Sequence, residues 1–403
     1  MINTMKVFKR IVKSSVVLGY ILSSCPVLAQ DFVAKLTGGF DFQAGYLKAN
    51  DHKNLTQNMK NRAFYSTAYL AANVSSKLDS GFLYGAKIAI TTTSRSSRKL
   101  QSGLFFENAG GRLELGSDKS AMTKMRISPF SIAAATAGMW DVWATSDILG
   151  GMPIVMNYGC FLDQKMRVAG ESEYSRKITY YTPTFYGFQI GVSYVPDSSN
   201  VGYSTLSHTP THGGGPAANN YSYSIKNGFS GGITYKKSIE DDFGIKLSAV
   251  GEMGKGKAAP KDDKAIAAIN KANLPLNPRV KNLKNYMLGA QIDYGKFSIA
   301  GSYGNYMKSL SMPQDKNKTS NVYGIGGKYK FDKLSTSLAF ISSGHGKNKL
   351  NATTLGADYK LAPGLLPYAE VTYFSISGFT RDPNSTKKSR KGTLAIIGTR
   401  VEF

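Results

Sequence analysis

The chain has 403 residues and a formal net charge of +24, with 42 Gly, 24 Tyr and 20 Phe but only 2 Trp and 2 Cys. After the first 29 residues Cys160 is the only cysteine, which excludes an intrachain disulfide framework. That part of the chain also lacks a run of 18 apolar residues, which excludes a helical membrane protein. Its glycine and aromatic content is typical of many short strands and turns.

The first 29 residues have the pattern of an export signal. Four basic residues come first, an apolar run from Val16 to Leu22 follows, and small residues lead to a cleavage site after Ala29. An alternative is cleavage before Cys25, because the residues ending there resemble a lipobox. Removal of residues 1–29 leaves 46 basic and 26 acidic residues, a net charge of +20. Export argues against nucleic acid as a partner and leaves anionic lipids or anionic solutes.

From residue 30 onward, apolar and polar side chains alternate, which predicts strands rather than helices. In residues 32–49, Phe40, Phe42 and Tyr46 fall on one face, and Lys35 and Asp41 fall on the other. The same alternation recurs in residues 82–91, 187–194, 243–252, 286–294 and 322–331. It recurs finally in residues 391–403, which end on Phe403.

The connections alternate between short turns and long polar loops. Seven turns and eight loops predict sixteen strands, and we therefore expect residues 30–403 to form one antiparallel transmembrane β-barrel. The loops are predicted near 50–62, 93–102, 117–174, 197–220, 254–284, 308–320, 344–348 and 378–391, with a short helix over 262–273. A secreted β-sandwich is the alternative, but the polar face offers no second apolar surface for a sandwich core.

Two segments carry a family resemblance. Residues 176–196, "RKITYYTPTFYGFQIGVSYVP", and residues 110–121, "GGRLELGSDKSA", resemble a hairpin and a strand of general Gram-negative outer-membrane porins. The similarity is to the trimeric general-diffusion type of alphaproteobacteria. It implies a homotrimer in the bacterial outer membrane, passive diffusion of ions and small hydrophilic solutes, and a third loop (about 117–174) folded into the lumen. It also implies that Phe403 is the signal read by the outer-membrane assembly machinery.

Charges on the polar face would line a pore, because each Lys or Arg turned to lipid at the midplane would cost roughly 2–4 kcal/mol. Ten cations face the lumen by alternation: Lys35, Lys87, Arg112, Lys177, Lys236, Lys246, Lys328, Lys330, Lys360 and Arg400. Seven anions do so: Asp41, Glu114, Glu252, Asp293, Asp358, Glu370 and Glu402. This excess predicts a mild preference for anions.

The third loop adds candidate constriction residues, chiefly Arg126, Asp141 and Asp147. By the logic of general porins, its two acids would face Lys35, Lys87 and Arg112 across the passage. Lysines of the outer loops, such as Lys255 and Lys257, would instead meet lipopolysaccharide.

Other functions have weaker support in the sequence. All four histidines fall in predicted loops, and "HTPTHGGG" cannot form the helix that a His-x-x-x-His metal site needs. We therefore predict no enzyme activity, no metal site and no cofactor. Two alternatives stay open: a substrate-specific channel, and a surface barrel that acts mainly in adhesion or host contact.

Overall fold

The computed structural model describes residues 32–49, 62–93, 96–136, 175–198, 221–240, 242–260, 263–273, 275–309, 319–345, 348–377 and 389–403. The predicted signal segment (1–29), Asp141 and Asp147 lie outside these ranges. The described residues form sixteen strands: β1 Phe32–Ala49, β2 Arg62–Lys77, β3 Leu83–Thr93, β4 Ser96–Asn108, β5 Gly111–Ser117, β6 Lys177–Tyr181, β7 Phe188–Asp197, β8 Tyr221–Glu240, β9 Phe243–Pro260, β10 Leu283–Tyr294, β11 Phe297–Met307, β12 Ser320–Lys330, β13 Leu334–His345, β14 Asn348–Tyr359, β15 Leu365–Ser377 and β16 Ser389–Glu402.

The strands close into a barrel in which each strand pairs with its sequence neighbours and β1 pairs with β16. All of these pairs are antiparallel, so the predicted sixteen-stranded barrel is confirmed. At the closing seam the Gly38 N–H donates to the Phe403 carbonyl at 2.9 Å, and the Phe403 N–H donates to the Gly38 carbonyl at 3.0 Å. Closure leaves no edge of the sheet formed by the described strands unpaired, as a hydrocarbon solvent requires.

The two faces of the wall differ as the alternation predicts. Large apolar side chains point outward, among them Leu288 and Ile325, which are 50% and 59% exposed. Outward aromatic residues form two bands. One band lies near the short turns and includes the pairs Phe188–Tyr235 and Phe297–Tyr329, whose ring centroids are 4.6 and 4.3 Å apart. The other lies towards the long loops and includes the pairs Tyr194–Phe229 and Tyr286–Tyr303, whose ring centroids are 5.0 and 6.2 Å apart. Such bands mark the two membrane interfaces of an outer-membrane barrel.

Three of the predicted loop ranges are wrong because the strands extend further. β4 begins at Ser96, β13 and β14 leave only residues 346–347 between them, and β9 continues to Pro260. The fifth loop is therefore shorter than 254–284, and it contains the helix α2, Asp263–Lys271. The error has a physical cause: above the membrane both faces of a strand meet water, so polar residues there do not indicate a loop.

The described part of the third loop begins after Ser117 and lies inside the barrel. Residues 118–136, which we call the belt, contain the short helix α1 (Ala121–Met125) and a 3-10 turn (Pro129–Ser131). The belt packs along the inner wall from β6 to β16. Among the described residues, no helix is long and apolar enough to cross a membrane.

Candidate pore lining

The belt is attached to the wall by hydrogen bonds from its backbone to inward side chains. The N–H groups of Ala121, Met122 and Ile127 donate to Ser193 Oγ on β7 (2.8 Å), Ser230 Oγ on β8 (3.3 Å) and Ser248 Oγ on β9 (3.1 Å). Further along, the Ala134 N–H donates to Ser337 Oγ on β13 at 2.8 Å. All four serines are buried. The wall therefore satisfies backbone donors that a loop in this position would otherwise leave unpaired.

Glycines in the wall allow the belt to come close. A Cβ atom on Gly289 of β10 would lie 2.3 Å from the Ile127 carbonyl oxygen. A Cβ atom on Gly356 of β14 would lie 3.1 Å from the Ala134 carbonyl oxygen. The belt thus follows a track of serine and glycine around the inner surface.

Two carboxylates and one guanidinium hold the end of the belt. Glu370 on β15 is 2% exposed and accepts hydrogen bonds from the N–H (3.2 Å) and the hydroxyl (2.7 Å) of Thr136. Asp358 on β14 accepts the Ala135 N–H at 3.1 Å, and Arg400 on β16 donates to the Ala135 carbonyl at 3.2 Å. Glu370 is therefore an anchor of the loop rather than an exposed pore charge.

Arg400 also belongs to a cluster at the seam. Its Nη2 lies 3.4 Å from Asp41 Oδ2, and the Tyr368 hydroxyl donates to Asp41 Oδ1 at 2.5 Å. Arg400 Nε lies 3.8 Å from Glu402 Oε1. The predicted pore charges Asp41 and Arg400 thus largely compensate each other.

A second set of paired charges, on β3 to β5 and the start of the belt, alternates in sign. Arg112 contacts Glu107 (2.8 Å) and Glu114 (2.9 Å), and Lys124 contacts Glu114 (2.5 Å). The next pairs link Asp118 to Lys124 (3.1 Å) and to Lys87 (3.5 Å). The Arg112 guanidinium also lies 4.4 Å from the centre of the Phe105 ring. Lys87, Arg112 and Glu114 lie on the inner face of the wall, where acids of the wall and of the belt pair with both cations.

The wall from β8 to β12 carries cations in excess. Lys236 on β8 is the register partner of Lys246 on β9, and Lys328 and Lys330 lie on the lumen face of β12. Lys246 binds Asp293 at 2.9 Å, and Asp293 also accepts Ser298 Oγ at 2.6 Å. Within the described residues, no carboxylate pairs with Lys236, Lys328 or Lys330. This lysine sector (Lys236, Lys246, Lys328 and Lys330) lies across the barrel from the β1–β2 wall. The wall from β8 to β12 also carries inward acids, Asp293 and, further along β9, the buried Glu252, which accepts a hydrogen bond from Asn285 Nδ2 at 2.6 Å.

Two further candidate residues, Lys35 and Arg126, lie within the described ranges. Lys35 is exposed and opposite Asn73, on the lumen side of β1. Arg126 lies on the belt and is half-buried. Whether Asp141 and Asp147 face wall cations falls outside the described residues.

Sequence reasoning missed Glu107, Asp118 and the row of buried serines. Glu107 follows a stretch that was read as loop, so it was not assigned to the lumen face. The serines were counted as water-facing, and only their recurrence at one height of successive strands could have indicated a bound segment.

The comparisons with known proteins agree with this architecture. The sequence profile described as Gram-negative porin matches residues 14–378. An uncharacterized protein of Rickettsia conorii is 32% identical over 94% of each chain, and one of Rickettsia prowazekii is 30% identical over 93% of each chain.

Solved porins share the fold at low sequence identity. An anion-selective porin from Comamonas acidovorans has 15% identity and a TM-score of 0.58, with 93% of this chain and 100% of that chain covered. A variant of the Rhodopseudomonas blastica porin has 14% identity and a TM-score of 0.53, with 92% and 100% covered. The match of the profile over most of the chain, on a closed sixteen-stranded barrel, shows that this protein belongs to the Gram-negative porin family.

Proposed function

We propose that this outer-membrane diffusion channel has a mild preference for anions, and that the lysine sector is its source. The observation that carries the proposal is the difference between the two sides of the lumen. Most charges on β1 to β6 and β14 to β16 are paired, whereas Lys236, Lys328 and Lys330 have no described carboxylate partner. An uncompensated charge in a narrow passage biases which ions enter.

The lysine sector is a revision of the expected arrangement. We predicted that Lys35, Lys87 and Arg112 would be the wall cations that face Asp141 and Asp147, but Lys87 and Arg112 are paired with Asp118, Glu107 and Glu114. Paired cations contribute little net potential to a passing ion. The lysines on β8 and β12 that have no carboxylate partner among the described residues therefore replace them in the proposal.

The test is the reversal potential of single channels across a salt gradient. We expect the wild-type protein to favour chloride over potassium by a few-fold. Replacement of both Lys236 and Lys328 by Glu should reverse the sign of the reversal potential, because it changes the local charge by four units.

A matched control is Lys237→Glu combined with Lys296→Glu, since Lys237 is the outward neighbour of Lys236 and Lys296 lies in a short turn. This control should leave the reversal potential near the wild-type value. A clear cation preference of the wild-type channel, or an equal shift in the control, would refute the proposal.

The finer features implied by the family resemblance are part of the same proposal. We propose a homotrimer, exported by the cleaved segment 1–29, that is inserted by the assembly machinery with its long loops towards lipopolysaccharide. A trimer would give conductance steps in groups of three in the same recordings. Block of the current by a low concentration of one solute would instead support the substrate-specific alternative, and absence of conductance would support the adhesion alternative.

A further inference from the structure

Three exposed lysines lie on the outer face of the barrel just above the upper aromatic band. Phe229 and Tyr286 belong to that band, and Met253, which is 59% exposed, lies at the same height between them. Lys284 lies two residues beyond Tyr286 on β10, towards the long loop, and is the register partner of Met253. Lys255 lies two residues beyond Met253 on β9. Lys257 follows after two more residues. At about 3.3 Å per residue, Lys255 and Lys257 are roughly 7 and 13 Å beyond Met253 along the strand.

The burial of their neighbours shows which way these lysines point. Leu283 is 0% exposed and faces inward, so Lys284 faces outward. On the neighbouring pair of strands, Ile225 is 2% exposed and a Cβ on Gly254 would touch its side chain at 2.4 Å, so both face inward. Lys255, the next residue after Gly254, therefore faces outward, and Lys257 follows it on the same face.

The charge at this place is compensated only in part. A fourth lysine, Lys226, is the register partner of Lys255 and forms an ion pair with Asp197. No described carboxylate pairs with Lys255, Lys257 or Lys284.

Outward cations directly above an apolar band lie where the headgroups of the outer leaflet begin. We infer that Lys255, Lys257 and Lys284 form a binding site for the phosphate groups of outer-leaflet lipids. The inference rests on the proposed outer-membrane orientation but is independent of the anion preference. The height of the three lysines favours lipid phosphates over a polyanion bound from outside, which would contact the exposed lysines beyond them, such as Lys264 and Lys271 on α2 and Lys281 after it.

The two groups of lysines provide a matched experiment. Full-length folded barrel in detergent is incubated with diphosphoryl lipid A or with dephosphorylated lipid A, and bound lipid is counted by native mass spectrometry. We expect Lys255→Gln, Lys257→Gln and Lys284→Gln together to weaken binding of the diphosphoryl lipid by about 100-fold, from roughly a factor of five for each lysine. The triple variant Lys264→Gln, Lys271→Gln and Lys281→Gln removes the same charge and should bind like the wild type.

Other outcomes would overturn the inference. If both triple variants lose binding equally, the lysines act only as diffuse charge. If the wild type binds the dephosphorylated lipid equally well, phosphate is not what is recognised. Folding of each variant is checked by the mobility of unboiled protein on a denaturing gel, and reversal potentials should be unchanged, which separates this result from a failure of the proposed selectivity.

Discussion

At the scale of single residues, the partner of a charge decides its role more than its position does. Alternation places Lys87, Arg112 and Lys328 on the same face of the wall, but only Lys328 lacks a described carboxylate. Asp118 illustrates the opposite case. It is the acid that Lys87 and Lys124 share where the chain leaves β5 and the belt begins, so its charge holds the loop rather than steering solutes.

Asp118 gives a pH-dependent prediction. Burial acts to raise the pKa of Asp118, but Lys124 and Lys87 outweigh it, so the pKa is lower than usual. A lowered pKa means that the carboxylate stabilises the fold above its unfolded value of about 3.9, and that this stability is lost as the pH falls through the folded value.

Asp118→Asn should therefore lower the free energy of unfolding by about 1–3 kcal/mol at pH 7, measured by urea titration. The difference from the wild type should shrink as the pH falls below the unfolded value of about 3.9. A difference that is the same at pH 7 and below that value would show that the ion pairs contribute nothing.

At the scale of structural elements, the belt is the feature that sequence reasoning only partly anticipated. The family resemblance implied that the third loop folds into the lumen and forms a constriction. The track of Ser193, Ser230, Ser248 and Ser337 was not predictable, because a serine that faces water and a serine that binds a backbone N–H look the same in one sequence. Long-range contacts of this kind depend on the register of strands that are distant along the chain.

Gly289 tests whether the belt depends on close contact with the wall. Gly289→Ala would bring a methyl group against the Ile127 carbonyl, and we expect the belt to shift, with a loss of about 1–3 kcal/mol of stability. The protein has two tryptophans, Trp140 and Trp143, and their fluorescence is the signal for this measurement.

The matched control is Gly244→Ala, another lumen-facing glycine, whose added Cβ would have no neighbour nearer than 3.8 Å. Its emission spectrum and stability should stay close to those of the wild type. If Gly289→Ala also leaves both unchanged, the belt does not depend on this approach.

At the scale of the whole molecule, the sequence predicted the barrel well and its rims poorly. Apolar and polar side chains alternate from Phe40 to Tyr46 and again before Phe403, so that one face of each strand suits lipid and the other suits water. This pattern is sufficient to predict the number of strands and the closure of the barrel. Beyond the aromatic bands, the strands leave hydrocarbon and the pattern fades, which is why β9 was expected to end before Pro260.

Two variants at Phe403 distinguish its structural role in closing the barrel from its predicted role as an assembly signal. Deletion of Phe403 removes both hydrogen bonds to Gly38, whereas Phe403→Ala keeps them. We expect the deletion to reduce refolding into detergent micelles, seen as loss of the fast-migrating unboiled band, while the alanine variant refolds nearly as well as the wild type.

In cells, both variants should insert less protein if the aromatic end is read by the assembly machinery. Equal insertion of the alanine variant and the wild type would leave Phe403 with a structural role alone.

The belt also changes what an inward-facing position means in this protein. Side chains of β7 to β15 that lie behind the belt, such as Ser193, Ser248, Ser337 and Glu370, are buried between the belt and the wall. A saturation mutagenesis experiment should therefore find a horizontal zone, level with Ser248 and Glu370, that tolerates substitution as poorly as the interior of a globular domain. Neighbouring inward positions above and below that zone should accept most polar residues.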